Sequence, residues 1–165
     1  MAFASPVREW ILTFKYPRTG LFAQDAAITG LVLWLARAAA EGFEGSLPDC
    51  ITPVPCHPRR FRKRGFEPAY RLALEIARHR GLPLEPRLLR RVRHTPTQTG
   101  LSAREREANV KGAFDCQSRY LPHKACIWLV DDVVTTGATL RSAAQALKQA
   151  GAAKVMGLCI ARTGT

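Results

Sequence analysis

Two successive carboxylates, Asp131 and Asp132, close an apolar run, Ile127-Trp128-Leu129-Val130, and are followed by Val133, Val134, Thr135, Thr136, Gly137, Ala138 and Thr139. Ionised carboxylates accept hydrogen bonds from hydroxyl groups. Threonine hydroxyls, small side chains and a glycine leading into a helix let backbone N–H groups close around a phosphate. A ligand with sugar hydroxyls at one end and a phosphate at the other satisfies both, so a sugar phosphate is the chemistry this segment suits. The apolar run has strand length and reads as a strand buried on both faces. It would deliver the acidic pair to the C-terminal edge of a parallel sheet, where ligands of open α/β folds bind. A plainer reading is a solvated strand end capped by threonines. A nucleoside triphosphatase strand is a poor alternative, because the chain contains no G-x-x-x-x-G-K-[ST] segment.

A second segment, Pro53-Val54-Pro55-Cys56-His57-Pro58-Arg59-Arg60-Phe61-Arg62-Lys63-Arg64-Gly65-Phe66, places Arg59, Arg60, Arg62, Lys63 and Arg64 together. Guanidinium forks pair bidentately with phosphate oxygens, as a diphosphate binder requires. Taken alone, the same residues could form a solvated basic loop or a nucleic-acid patch.

The elements that must position these residues follow from periodicity and punctuation. A helix is expected from Asp25 to Ala40, with Ile28, Leu31, Val32 and Leu35 at helical spacing. A short strand at Cys50 to Val54 ends early because proline cannot donate to a sheet ladder. A basic loop, Pro55 to Phe66, then leads into a helix that starts at Pro68 and stops at Gly81. From Arg87 to Lys111 a polar, basic stretch reads as an inserted flap: a loop over Thr95 to Gly100, then a charged helical piece from Ser102 to Asn109. Ala125 to Val130 is the buried strand, Thr139 to Ala150 a helix closed by Gly151, and Lys154 to Ala161 a further strand. Strand, loop, helix and strand in that order predict an α/β fold with a central, mainly parallel sheet flanked by helices. Residues 1–165 are expected to form one domain.

Composition narrows the partners. The net charge is +12, and His57 to Arg119 holds sixteen Lys and Arg against six Asp and Glu, so the partner is expected to be anionic. Five scattered cysteines with no C-x-x-C pair encode neither a disulfide framework nor a zinc ribbon, and no metal site is expected. The longest apolar stretch, Ala26 to Ala40, contains Gly30 and Arg37 and is too short to span a bilayer, and nothing in Met1 to Trp10 marks a secretory signal. No membrane insertion and a cytoplasmic location are the expectation.

The acidic pair with its threonine loop resembles the phosphoribosyl diphosphate-binding motif of type I phosphoribosyltransferases. That resemblance implies Asp131 and Asp132 on the ribose and Val133 to Thr139 around the 5′-phosphate. A wider set of residues is similar to the ComF competence-protein family: Phe14-Lys15-Tyr16, the Pro-Val-Pro to Arg-Gly-Phe segment, Thr97-Gln98, Leu101-Ser102, Arg106, Asn109, Gly112-Ala113-Phe114 and the Asp-Asp-Val-Val-Thr-Thr-Gly-Ala-Thr motif. This likeness implies a phosphoribosyltransferase-like fold with a small hood. Arg62, Lys63, Arg64 and Gly65 would lie on the diphosphate, and a flexible loop carrying Gln98, Ser102, Arg106 and Asn109 would close over the ligand. It also implies Mg²⁺ carried in with the diphosphate, and a link to single-stranded DNA and the competence proteins that import it. Two departures stand out: no four-cysteine zinc ribbon is present, and Glu67-Pro68 stands where the family tends to carry Asn-Gln.

Three functions remain open on these grounds. One is transfer of a phosphoribosyl group to a nitrogen acceptor, with Asp131, Asp132, Arg62 and Arg64 as the reacting-centre residues. The second is a ligand-sensing or protein-binding module on the same fold. The third is direct binding of single-stranded DNA by the basic face, with Phe61 and Phe66 the main aromatic residues among the cations.

Overall fold

A computed structural model of the chain describes residues 5–16, 22–43, 46–93 and 103–163. The elements run α1 (Val7–Lys15), α2 (Phe22–Glu41), β1 (Cys50–Pro53), α3 (Pro58–Arg64), α4 (Pro68–Arg80), β2 (Leu89–Arg91), α5 (Ala103–Val110), β3 (Phe114–Cys116), β4 (Cys126–Val134), α6 (Ala138–Gln149) and β5 (Lys154–Arg162). The main sheet has the order β1-β4-β5 and is parallel throughout, with Ile51 opposite Trp128 and Leu129 opposite Gly157. β2 and β3 form a separate antiparallel ribbon.

Alternation along β4 explains why the sheet is covered on both sides. Trp128 and Val130 point into a core built with Ile11, Phe14, Val32, Leu35, Leu72 and Ile76 of α1, α2 and α4. Ile127 and Leu129 point the other way, against Ala143 and Leu147 of α6, Val110 of α5 and Phe114 of β3. All four of these β4 side chains are buried. An apolar run without polar alternation is the pattern of a central parallel strand.

Several boundaries differ from the sequence expectations. β4 continues through the acidic pair to Val134, so Asp131 and Asp132 lie inside its last turn of pleat rather than beyond it. β1 ends at Pro53, although the Val54 N–H still bonds the Val130 carbonyl at 2.8 Å. The basic segment is not loop throughout: Pro58–Arg64 is helical. Its start and stop signals were in the sequence. His57 Nδ1 accepts the Arg59 N–H at 3.2 Å, Pro58 occupies the first turn, and Gly65 in the left-handed region (φ 81°) returns its N–H to Phe61 O at 2.7 Å. Arginine and lysine are good helix formers, so five cations within six residues do not argue for loop. The stretch read as a flap begins with β2, which pairs with β3 beyond it and so fixes its base. The Thr95 to Gly100 loop lies outside the described residues.

Candidate functional site

The acidic pair sits where the β4–β5 ladder, unchanged in register, skips one residue pair. Pairing passes from Asp131–Cys159 to Val133–Ala161, and Asp132 has no ladder partner. The carboxylates take up the freed backbone donors: Asp132 N–H bonds Asp131 Oδ1 at 2.9 Å, and Val133 N–H bonds Asp132 Oδ1 at 2.7 Å. Each carboxylate therefore spends Oδ1 locally. Oδ2 of each makes no hydrogen bond among the described residues, so each carboxylate keeps an acceptor for a ligand.

Asp131 is not an ordinary surface acid. Burial pushes the Asp131 carboxyl up to about 7, and the neighbouring Asp132 charge adds to the rise; the Asp132 N–H, Lys15 and Arg91 pull against it. Lys15, the last residue of α1, reaches Asp132 Oδ1 with Nζ at 2.9 Å.

Immediately downstream, the chain turns through Thr135, Thr136 and Gly137 into α6. Gly137 has φ 77°, a conformation that favours glycine, and a Cβ there would stand 3.0 Å from Arg141 Nη1 and push the guanidinium slightly aside. Gly137 offers the first turn of α6 no side-chain cap and the turn carries no acidic residue, while the Thr136 hydroxyl accepts the Ala138 N–H at 3.4 Å, so the loop itself folds a threonine over the helix's positive end. Arg141, one turn into α6, donates to Thr136 O at 2.8 Å and holds the loop's shape. An open cleft of about 330 Å³ lies beside it, with Thr136, Gly137, Arg141 and Arg162 at its rim and Leu129, Leu140 and Val155 below.

Because β1 and β4 run parallel with Pro53 opposite Val130, the segment leaving β1 emerges at the same sheet edge as the acidic pair. α3 rises from that edge. The base of this excursion is closed by Glu67, whose Oε1 accepts the Cys56 N–H at 2.8 Å. The carboxylate that departs from the family's amide thus has a structural partner in this chain. Phe66 meets Phe14 edge-on, with ring centroids 6.1 Å apart, and the Arg71 guanidinium lies 5.7 Å from both rings, which ties α1, the end of α3 and α4 together.

Measured against expectation, Asp131, Asp132, Val133, Val134, Thr135, Thr136, Gly137, Ala138 and Thr139 form one continuous edge. Arg62 is exposed on α3, and no ion pair joins it to either carboxylate among the described residues. Lys63 and Arg64 belong to α3 and Arg106 to α5, but their side chains fall outside the described set, as do Gln98 and Ser102 altogether. Asn109 is half-buried on α5, and its carbonyl takes Arg93 Nη2 at 2.8 Å. Sequence reasoning missed three cations. Lys15 was noticed only as part of a resemblance. Arg141 was signalled by its position one turn after the glycine of a phosphate-type loop. Arg91, stacked over Phe114 at 5.2 Å, carried no local signal, because only the β2–β3 pairing brings it near Asp131.

Comparison with known proteins agrees with this geometry. Residues 62–164 match the phosphoribosyl transferase domain family. Competence protein F of Haemophilus influenzae is 32% identical over 162 residues, covering 97% of this chain and 69% of that protein. The DNA utilization protein YhgH of Salmonella typhimurium is 36% identical over 162 residues, covering 98% and 69%. Among solved structures, glutamine phosphoribosylpyrophosphate amidotransferase from B. subtilis superposes with a TM-score of 0.54 at 21% identity, over 79% of this chain and 26% of that one. An allosteric regulatory enzyme of purine biosynthesis gives 0.55 at 21% identity, over 81% and 26%. At such identities the structural likeness is one of fold, whereas the sequence likeness spans nearly the whole chain; the chain belongs to the ComF competence-protein family and carries its phosphoribosyl transferase fold.

Proposed function

We propose that the β4–α6 edge binds a 5-phosphoribosyl 1-diphosphate-type ligand and that the chain uses it in handling imported DNA or its nucleotides. The observation that carries this reading is that Asp131 and Asp132 each keep Oδ2 out of any hydrogen bond among the described residues and lead without a break into the Gly137 turn and the first turn of α6. Vicinal ribose hydroxyls suit the first and the 5′-phosphate the second. Val133 to Thr139 would line the path between them, Arg62, Lys63 and Arg64 of α3 would supply charge for the diphosphate, and Gly65 would turn the backbone there close to it.

In a transfer reaction the bond from ribose C1 to diphosphate breaks as a nitrogen acceptor bonds to C1. The leaving diphosphate keeps the electron pair, and the sugar passes through a cationic, oxocarbenium-like state. No protein nucleophile is needed. Asp131 and Asp132 would orient the ribose and stabilise the cation, Arg62 and Arg64 would hold the departing anion, and Gln98, Ser102, Arg106 and Asn109 would belong to the covering loop. The diphosphate would bring Mg²⁺ with it as its own counter-ion. Among the described residues no helix is long and apolar enough to cross a membrane, and the five cysteines are free thiols, which suits action in the reducing cytoplasm.

The test is diphosphate release with a panel of nucleobase and amine acceptors, using the wild-type chain and Thr135→Ala/Thr136→Ala. Release by the wild type that falls at least about tenfold in the variant is expected for an enzyme. Ligand binding without release for any acceptor would instead favour a ligand-sensing or protein-binding module among the competence proteins. One observation supports a separate role in binding single-stranded DNA: Phe61 is 47% exposed on α3, between arginines, as a base-stacking platform needs.

A further inference from the structure

We infer that Lys15 is a positioning residue of the ligand site, holding the Asp132 carboxylate by Oδ1 from α1 so that Oδ2 faces the sugar. The inference rests on the ligand reading above, but its first observation does not. Lys15 lies outside residues 62–164, the span matched to the phosphoribosyl transferase family, and nothing in the β4–α6 motif calls for it.

The geometry is specific. Asp132 Oδ1 receives two donors, the Val133 N–H at 2.7 Å and Lys15 Nζ at 2.9 Å. Two donors on one oxygen fix both torsions of a short side chain, and the second oxygen is left as the acceptor. The Lys15 and Asp132 side chains are only 20% and 14% exposed, so the pair is largely withdrawn from water and screened far less than a surface ion pair. Lys15 does not have to hold α1 in place. Ile11 and Phe14 of the same helix are 0% and 2% exposed in the core, and Phe14 is further fixed by Phe66 and Arg71. The helix therefore presents an ammonium group already held near its target, and little side-chain freedom remains to be lost when ligand binds.

The charge balance points the same way. Asp131 faces Asp132, Lys15 from α1 and Arg91 from β2, while Cys159 of β5 lies opposite it with Arg162 further along that strand. A lysine among two adjacent carboxylates keeps the pair from carrying two uncompensated charges, and so keeps Asp131 within reach of ionisation near neutral pH.

Lys15→Met and Lys15→Arg in the full chain test the inference by two readouts. The first needs no ligand: carboxyl NMR titration should show the Asp131 midpoint higher in Lys15→Met than in the wild type by about half a pH unit or more, with Lys15→Arg restoring it. The second is affinity for phosphoribosyl diphosphate with Mg²⁺, which should fall about tenfold in Lys15→Met and recover to within about threefold in Lys15→Arg, while thermal midpoints stay within a few degrees. An unmoved Asp131 midpoint would overturn the inference whatever the ligand does. An affinity loss that Lys15→Arg fails to rescue, in step with lost thermal stability, would reduce Lys15 to a structural tie and overturn it as well. A wild-type chain that binds no phosphoribosyl ligand, with the midpoint still moved by Lys15→Met, overturns the ligand reading and leaves the hold on Asp132 supported.

Discussion

Asp131 is the residue on which the proposed ligand site turns, and its position has a measurable cost. Its carboxyl is raised to about 7, chiefly by burial and then by Asp132, so the folded chain binds a proton there that the unfolded chain has already released. The slope of stability with pH follows the difference in bound protons. Stability contributed by this group is complete below the ordinary carboxylate range and is lost as pH rises from about 4 through about 7. Asp131→Asn should therefore raise stability at pH 8, on the order of 1–3 kcal/mol after allowing for residual solvent contact, and change little at pH 4. Urea unfolding at both pH values checks the sign. The same logic reverses for ligand binding: ribose hydroxyls prefer an ionised acceptor, so binding near pH 7 should expel a proton from Asp131. Calorimetry in buffers of different ionisation enthalpy should show proton release by the wild type that is smaller in Asp131→Asn.

At the scale of elements, two glycines that look alike in sequence should behave differently. Gly65 and Gly137 both have positive φ, but a Cβ at Gly65 meets nothing within 4 Å, whereas at Gly137 it meets Arg141 Nη1 at 3.0 Å. Gly65→Ala should cost about 1 kcal/mol of backbone strain, and Gly137→Ala slightly more, because the Arg141 guanidinium must also shift and loosen its hold on Thr136 O. Equilibrium unfolding measures both. Phe14→Ala should cost about 3–5 kcal/mol, since the ring is 2% exposed and bridges α1 to the end of α3. Much of this layout was legible in the sequence. The uninterrupted apolar run of β4 declared a strand covered on both faces, and Pro68 and Gly81 bracketed α4 to the residue. The α3 helix was not read, because its cations drew attention as charge while His57, Pro58 and Gly65 were already spelling a start and a stop. The placement of Lys15 and Arg91 beside the acidic pair is tertiary: one comes from α1 and the other from a ribbon whose two strands are more than twenty residues apart, and no local pattern encodes either approach.

For the whole molecule, a net charge of +12 gives any polyanion a long-range attraction, so affinity alone cannot distinguish a built site from a charged surface. Salt can. If DNA binding is a surface property centred on α3, oligonucleotide affinity should fall steeply with ionic strength and hardly respond to substitution of the acidic pair. A site closed by paired hydrogen bonds should lose less to salt and much more to that substitution. The most direct measurement is calorimetric titration of the wild-type chain and of Asp131→Asn/Asp132→Asn with phosphoribosyl diphosphate and Mg²⁺ at pH 7.5 and physiological salt, with folding of both checked by circular dichroism. Saturable one-site binding by the wild type, lost by at least about a hundredfold in the double variant, is the predicted result. No binding by the folded wild type, or equal binding by both, would contradict the assignment of this edge as a phosphoribosyl site.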